Sequence, residues 1–271
     1  MLTDNGQPIR CRLCDGSVSY RFSLDVLQKH SVKYFLCTQC GSLQTEVPFW
    51  LDEAYKIGNL SRLDTGVAQR NIHNVAGCVA ISRLFGVRNA IDLGGGDGLL
   101  CRLLRDYEIN CYVKDRYAIP SYAQGFTEED FATPDLVIGF EVLEHFSNPK
   151  SDLDDIFKHD ADILLLSTDI YRNEKEDWWY LLPESGQHVF FYSEHALGLI
   201  AKKYGYSLIR SGGFLLYVRN ATGLQKVVAR FLLRPSVCRV IRALIFIRRA
   251  PGVWKDHRRL LESVRQRSND R

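Results

Sequence analysis

The sequence predicts a doubly wound α/β domain, with a mostly parallel sheet between helices, flanked by a cysteine-bearing N-terminal segment and a basic C-terminal one. Two observations carry that prediction. From residue 89 to residue 220, short apolar stretches of strand length alternate with helical patterns. The first of these strands, in NAIDLGGGD at 89–97, runs directly into the spacing Asp92-x-Gly94-x-Gly96-x-Gly98, and a leucine-rich helix follows. Glycines allow a sharp turn and a close approach by a ligand, and the helix start offers free N–H groups beside it.

A chain of 271 residues can hold one large domain or two small ones. Its composition, 46% hydrophobic and 25% charged, is that of an ordinary globular protein and excludes a disordered or fibrous one. Charge is unevenly spread. Residues 219–271 hold 14 Lys/Arg and 3 Asp/Glu, net +11, whereas 1–218 hold 21 and 29, net −8. The stretch MLTDNGQPIR has no apolar core, so no signal peptide is expected, and no apolar run reaches a membrane span. The expected location is the cytoplasm, including the inner face of its membrane.

Four segments follow from these patterns: 1–48, 49–88, 89–220 and 221–271. In the first, Cys11-x-x-Cys14 and Cys37-x-x-Cys40 are 22 residues apart, with strand-like residues at 18–22 and 32–36 between them. Two such knuckles can set four thiolates tetrahedrally around a structural Zn²⁺, which a short segment with little core needs. The other four cysteines are scattered, which points to a reducing compartment and a metal site, not a disulfide framework. A basic stripe is missing here, so nucleic acid is not the expected partner.

In the connector, FWLDEAY opens an aromatic stretch followed by an irregular one up to Gly66, and 67–85 reads as a helix ended by Gly86. Tyr55, with Asp64, Arg70 and Asn71, is a candidate for the cofactor cleft or acceptor site; Trp50 and Tyr55 serve equally well to dock the first segment. After Gly98 a helix spans 99–107, and 111–113 is a second strand with Asp115 just past its end. An acid at that point of a βαβ unit accepts ribose hydroxyls. Strands follow at 135–140, 161–167, 206–210 and 214–219. Ser193 caps a helix that Gly205 ends. Ligands of such sheets belong at the carboxyl ends of the strands, so Gly94, Asp115, Glu141 and Thr168 are expected to gather.

The D-x-G-x-G-x-G run, Asp115 and FEVLEHF at 140–146 together resemble class I S-adenosylmethionine-dependent methyltransferases over residues 65–220. The resemblance implies a Rossmann-like sheet of seven strands, the last antiparallel. It implies that Asp92, Gly94, Gly95, Gly96 and Gly98 hold the methionine end of S-adenosylmethionine, that Asp115 takes the ribose, and that Asp130 and Phe131 lie by the adenine. Glu141 joins this cofactor set. Residues 11–47 resemble the zinc-ribbon module of bacterial sugar methyltransferases, whose Glu-His-x-x-Phe-Phe motif carries a catalytic His. This chain has Gln187-His188-Val189-Phe190-Phe191 there. His188 matches, and His145 is a second candidate. With Gln187 in place of Glu, O-methylation of a sugar hydroxyl on a nucleotide sugar or surface glycan is expected before C-methylation of a keto-deoxysugar, because a hydroxyl asks less of the base.

Two further readings stay open. Glu141-x-x-Glu144-His145 also resembles the E-x-x-E-H of ubiquinone-pathway and small-RNA O-methyltransferases, which implies Mg²⁺ at Glu141, Glu144 and His145, joined by a distal His. A zinc-ribbon RNA-binding or RNA-modifying protein is the alternative of another class. Trp178, Trp179 and Tyr180, between the fifth strand and His188, are expected to stack on a small-molecule or glycan acceptor. In the tail, helical patterns at 224–233 and 236–249 are broken by Pro235. The second carries Arg239, Arg242, Arg248 and Arg249, and VWKDHRRLLESVRQR forms a last helix. A basic amphipathic tail suits a membrane surface, a glycosyltransferase partner or the main domain.

Overall fold

The computed structural model describes residues 9–247 and 250–269; Arg248 and Arg249 of the tail pattern lie outside them. The chain divides into two compact units. One runs up to Thr65 and adds Phe140–His159 and Leu166–Leu208; the other holds Gly66–Gly139, Asp160–Leu165 and the chain from Ile209 on.

The first unit is built on a four-stranded sheet in the order β1 (Val18–Val26), β2 (His30–Cys37), β3 (Leu43–Thr45), β8 (Phe190–Phe191). β1 and β2 form a hairpin closed at Val26↔His30, with Leu27 and Gln28 both at φ 55. Alternation along β2 buries Val32 and Tyr34 on one face. β3 pairs antiparallel with β8 through Leu43↔Phe191 and Gln44↔Phe190, so the cysteine segment completes its sheet with residues from far along the chain. One core results, including Phe22, Tyr34, Leu43, Trp50, Tyr180 and Phe191. Trp50 is buried in it and donates its indole N–H to the Gly186 carbonyl at 2.8 Å. The aromatic stretch forms α1 (Leu51–Ile57), and the stretch after it, expected to be irregular, instead contains α2 (Asn59–Leu63), the two separated by Gly58 at φ 66. At seven and five residues they are too short to show helical periodicity. α5 (Pro149–Phe157) begins on a proline, and α6 (Glu194–Tyr204) is capped by the Ser193 hydroxyl, which accepts from Ala196 N, and ended by Gly205.

The second unit carries a sheet of six strands in the order β5 (Asn110–Lys114), β4 (Asn89–Leu93), β6 (Leu136–Phe140), β7 (Ile163–Ser167), β10 (Phe214–Val218), β9 (Ser207–Ser211). β4 pairs parallel with both β5 and β6. β9 and β10 are neighbours joined by Gly212 and Gly213, both at positive φ, which makes a tight hairpin. The seven strands expected from the resemblance are therefore six. The edge beside β5 meets an irregular segment containing Pro120 and Gly125, to which Val113 N donates at the Phe126 carbonyl. α3 (Val67–Phe85) packs on β10 at Gly77, where a Cβ would come 2.6 Å from the Phe214 ring.

The tail forms α7 (Gly223–Leu232), α8 (Pro235–Ile247) and α9 (Pro251–Asn269). α7 and α8 pack on α3, and α9 on α4 (Leu99–Asp106). At Gly252 the α9 backbone lies so close that a Cβ would meet the Arg105 carbonyl oxygen. The buried Asp256 then receives Arg105 Nε at 2.7 Å and Nη2 at 2.8 Å, and Arg102 Nη2 at 2.8 Å. Burial alone would raise its carboxyl, yet the two guanidiniums hold it below the usual range. Asp256→Ala leaves the buried Arg105 without its anion, while Arg102 keeps Asp106 at 2.8 Å, and is expected to cost about 3 kcal/mol in denaturant unfolding, with α9 losing amide protection first.

Candidate active site

In the second unit, β4 ends at Leu93 and the glycine turn follows. Gly94, Gly96 and Gly98 all lie at positive φ (66, 56 and 82), where a side chain would be strained. Gly95 is required for a different reason: a Cβ there would sit 2.4 Å from Asp92 Oδ2 and 2.7 Å from Val113. Asp115 fixes the turn from β5. Its Oδ2 accepts from Gly96 N at 2.9 Å, and its Oδ1 from Tyr117 N and Ala118 N. Asp92 is buried beneath the turn with Oδ2 unpartnered, and burial, followed by the Asp115 charge, raises its carboxyl to about 7. A buried, unsatisfied acid beneath the turn fits a cationic or N–H-bearing ligand group. Asp130 accepts from Asn110 and pairs with Arg259 of α9 at 3.3 Å, and Phe131 packs edge-on against Tyr112. Asp130 thereby ties α9 to the edge of the sheet.

In the first unit a second polar cluster follows β6. Glu141, at φ 54, turns the chain sharply; its Oε1 accepts from Ser167 Oγ at 2.6 Å and its Oε2 from Tyr180 Oη at 3.0 Å. The same phenol lies 2.7 Å from Glu144 Oε1 and 3.3 Å from Thr168 Oγ1. Glu144 is wholly buried. Burial, with the Glu141 charge second, raises its carboxyl well above the usual range. Its Oε2 has no partner, and neither has His145 Nδ1. His145 is lowered to about 3 by burial and then by His188, against a hydrogen bond to the Gln187 backbone. The two imidazoles meet edge to face with centroids 5.0 Å apart.

His188 Nδ1 lies 2.7 Å from the Tyr180 carbonyl oxygen. A carbonyl only accepts, so Nδ1 carries the proton and Nε2 of the neutral ring keeps its lone pair. Burial lowers His188, which favours that neutral form. Glu144, His145 and His188 each present a ligand atom within 4.8 Å of the others. Of the expected metal set, Glu144 and His145 are in this triad with His188 in the place of the distal His, and Glu141 lies outside it.

The aromatic trio expected to act together is split. Tyr180 is buried as the hydrogen-bonding centre of the acid cluster. Trp178 is half-buried between Tyr171, Tyr180 and Phe191, and Trp179 stands 72% exposed. Tyr55 is half-buried on α1. Sequence reasoning missed Ser167 as a ligand of Glu141, although a serine ending the apolar strand ILLLS was its signal. It also missed the phenol of Tyr180, for which an irregular segment offers none.

Also in the first unit, the four cysteines converge. Cys11 and Cys40 sulfurs lie 3.7 Å apart and Cys14 and Cys37 sulfurs 3.5 Å, near the edge of about 3.8 Å expected of a tetrahedron with Zn–S bonds of about 2.3 Å. Gln39 N and Cys40 N both donate to Cys37 Sγ. Cys40 is pushed below the usual thiol range by its hydrogen bond with Cys11, whose own thiol the same pairing pushes up. The group can hold a metal ion.

A parallel sheet whose first strand opens into this glycine turn, pinned by an acid at the end of the next strand, defines a nucleotide-cofactor enzyme of the α/β class. The family described as "Methyltransferase domain" matches residues 66–211, more than half of the chain, and the chain belongs to it as an S-adenosylmethionine-dependent methyltransferase. No curated protein matches the chain. Solved structures resemble it at the level of fold. One is the methyltransferase domain of bacterial CtHen1-C, at 17% identity over 56% of this chain and 99% of that one, with a TM-score of 0.42. Another is an O-methyltransferase family protein from Burkholderia thailandensis, at 14% over 58% and 57%, TM-score 0.45. A third is magnesium protoporphyrin IX methyltransferase from Synechocystis, at 23% over 57% and 84%, TM-score 0.43.

Because the folded carboxyl of Asp92 lies above its unfolded value of about 4, ionisation opposes folding, and its contribution falls as pH rises from about 4 through about 7. Asp92→Asn is therefore expected to raise the melting temperature of the cofactor-free protein more at pH 8 than at pH 5, read by calorimetry at both pH values.

Proposed function

We propose that this methyltransferase places its methyl group on a hydroxyl oxygen of a sugar, carried by a nucleotide or a surface glycan. The observation that carries the reading is the fixed tautomer of His188. Its proton is committed to the Tyr180 carbonyl, and Nε2 is available to receive one. Methyl transfer from a sulfonium is an in-line displacement. The acceptor oxygen bonds the methyl carbon, the C–S bond breaks with its electron pair going to sulfur, and the hydroxyl proton passes to a base. His188 Nε2 is that base, and a neutral imidazole suffices because the leaving group is good. Gln187 supports oxygen over carbon as the acceptor: its amide cannot act as a base and donates to the Ala54 carbonyl at 3.4 Å. The exposed indole of Trp179 offers an apolar face of the kind that stacks on sugar rings. In this reading Asp92, the glycines at 94–98 and Asp115 hold the cofactor, and Glu141 orders the acid cluster.

A second reading is favoured by the orphaned atoms. The half-buried Glu141 and the buried Glu144 meet at one phenol, which can donate only one proton, and Glu144 Oε2 and His145 Nδ1 are unsatisfied. A proton or a cation must offset that charge. Glu144, His145 and His188 fit a divalent ion, and two imidazoles with one carboxylate suit a transition metal better than Mg²⁺. Such an ion would lower the pKa of a bound acceptor hydroxyl.

Transfer of labelled methyl from S-adenosylmethionine is expected onto nucleotide sugars or glycolipid extracts and not onto RNA. His188→Ala should reduce turnover by about 100-fold or more while calorimetric cofactor binding is unchanged. Label entering RNA alone, or full turnover in the variant, would overturn the assignment. Loss of activity to a chelator, restored by a divalent ion, selects the metal-assisted form.

The four converging thiols support a structural zinc in the N-terminal sheet. Elemental analysis is expected to find one zinc per chain, lost in Cys37→Ser/Cys40→Ser together with β1–β3 structure. A folded, metal-free protein would refute it.

A further inference from the structure

The three C-terminal helices are amphipathic twice over. Each has a face committed to the second unit: Ala229 and Leu233 at the end of α7, Cys238 and Ile245 on α8, and Asp256 on α9 are all buried. Each also has a second apolar stripe at helical spacing that faces outward. On α7 it is Leu224, Val227 and Phe231, with Leu224 at 75% exposure. On α8 it is Val240, Leu244 and Ile247, with Ile247 at 82%. On α9 it is Trp254, Leu261 and Val264, with Trp254 at 69%. Steps of three, four and seven residues keep each stripe on one side of its helix.

Single exposed apolar residues are ordinary, but three successive helices each carrying a stripe are not. The folded unit has already taken what it buries, so these stripes are not leftover core. The charge around them identifies the occupant. Exposed Arg230 and Arg234 neighbour the α7 stripe, Arg239 the α8 stripe, and Lys255 and Arg258 the α9 stripe. The segment 219–271 has net charge +11, and the buried Asp256 is consumed by Arg102 and Arg105. Apolar side chains interleaved with cations match an anionic lipid surface, where the cations meet headgroups and the apolar residues enter the acyl boundary. No described helix is long and apolar enough to cross a membrane, so the contact is a lateral one.

We propose that the outward side of α7, α8 and α9 docks the protein on an anionic lipid bilayer. Full-length protein is sedimented with vesicles of phosphatidylcholine alone and of equal parts phosphatidylcholine and phosphatidylglycerol. Binding to the mixed vesicles only, weakening as salt is raised, is expected. Trp254 emission should shift to the blue on binding, a shift lost in Trp254→Phe. The triple variant Leu224→Glu/Leu244→Glu/Ile247→Glu should bind at least about tenfold more weakly, with the circular-dichroism melt of the parent. Absence of binding to mixed vesicles, or binding unchanged in the triple variant, overturns the proposal. So does a concentration-dependent dimer that the glutamates dissolve while vesicles bind nothing, which would assign the stripes to a second copy of the chain. If the triple variant fails to fold, the salt dependence and the Trp254 shift of the parent decide the matter alone.

Discussion

Arg12 lies between the two cysteines of the first knuckle, and its guanidinium reaches in four directions. It donates to the carbonyls of Ser147, Thr45 and Val189 and to the Thr45 hydroxyl, while its backbone N–H is taken by Gln44 Oε1. Burial lowers this guanidinium to about 10. Four pieces of chain meet on it: the knuckle, β3, and the segments just after His145 and just after His188. A buried cation with carbonyl partners tolerates little displacement, because each lost bond leaves a charge or a carbonyl unsatisfied. The position of the imidazole pair thus depends on a residue that the chemistry never touches.

Beside that fixed point, the acid cluster stores an unresolved charge. The half-buried Glu141 and the buried Glu144 share the Tyr180 phenol, and His145 is held neutral by burial. Proteins seldom keep such arrangements for stability, since an apolar core would serve as well. They are frequent where a proton or a cation has to be held and released. The fixed tautomer of His188 and the orphaned Glu144 oxygen are two signs of the same constraint.

Much of this was legible in the sequence where a local rule applied. The glycine turn, Asp115 and the two cysteine pairs were readable because their spacing is itself the geometry. Helix ends at Gly86, Ser193 and Gly205 followed from capping. The apolar pattern alone marks six strands between 89 and 220; the seventh came only with the resemblance, and the segment with Pro120 and Gly125 lacks the alternation to supply it. What could not be read was non-local. Phe190–Phe191 is a two-residue strand whose partner lies at Leu43 and Gln44, and no window of sequence connects them. Tyr180 looked like an exposed stacking ring because nothing in DWWYLLPE distinguishes the aromatic that turns inward.

The pairing of β3 with β8 has an energetic consequence. The strand that closes the cysteine sheet begins two residues after His188, which couples folding of the knuckle to placement of the imidazole. A ligand that binds only the folded knuckle adds its binding free energy to that folding. Oxidation of the thiols subtracts from it in the same way. Thiol redox state and metal availability in the surroundings would then set the fraction of competent enzyme, acting as allosteric variables through an element that holds no substrate.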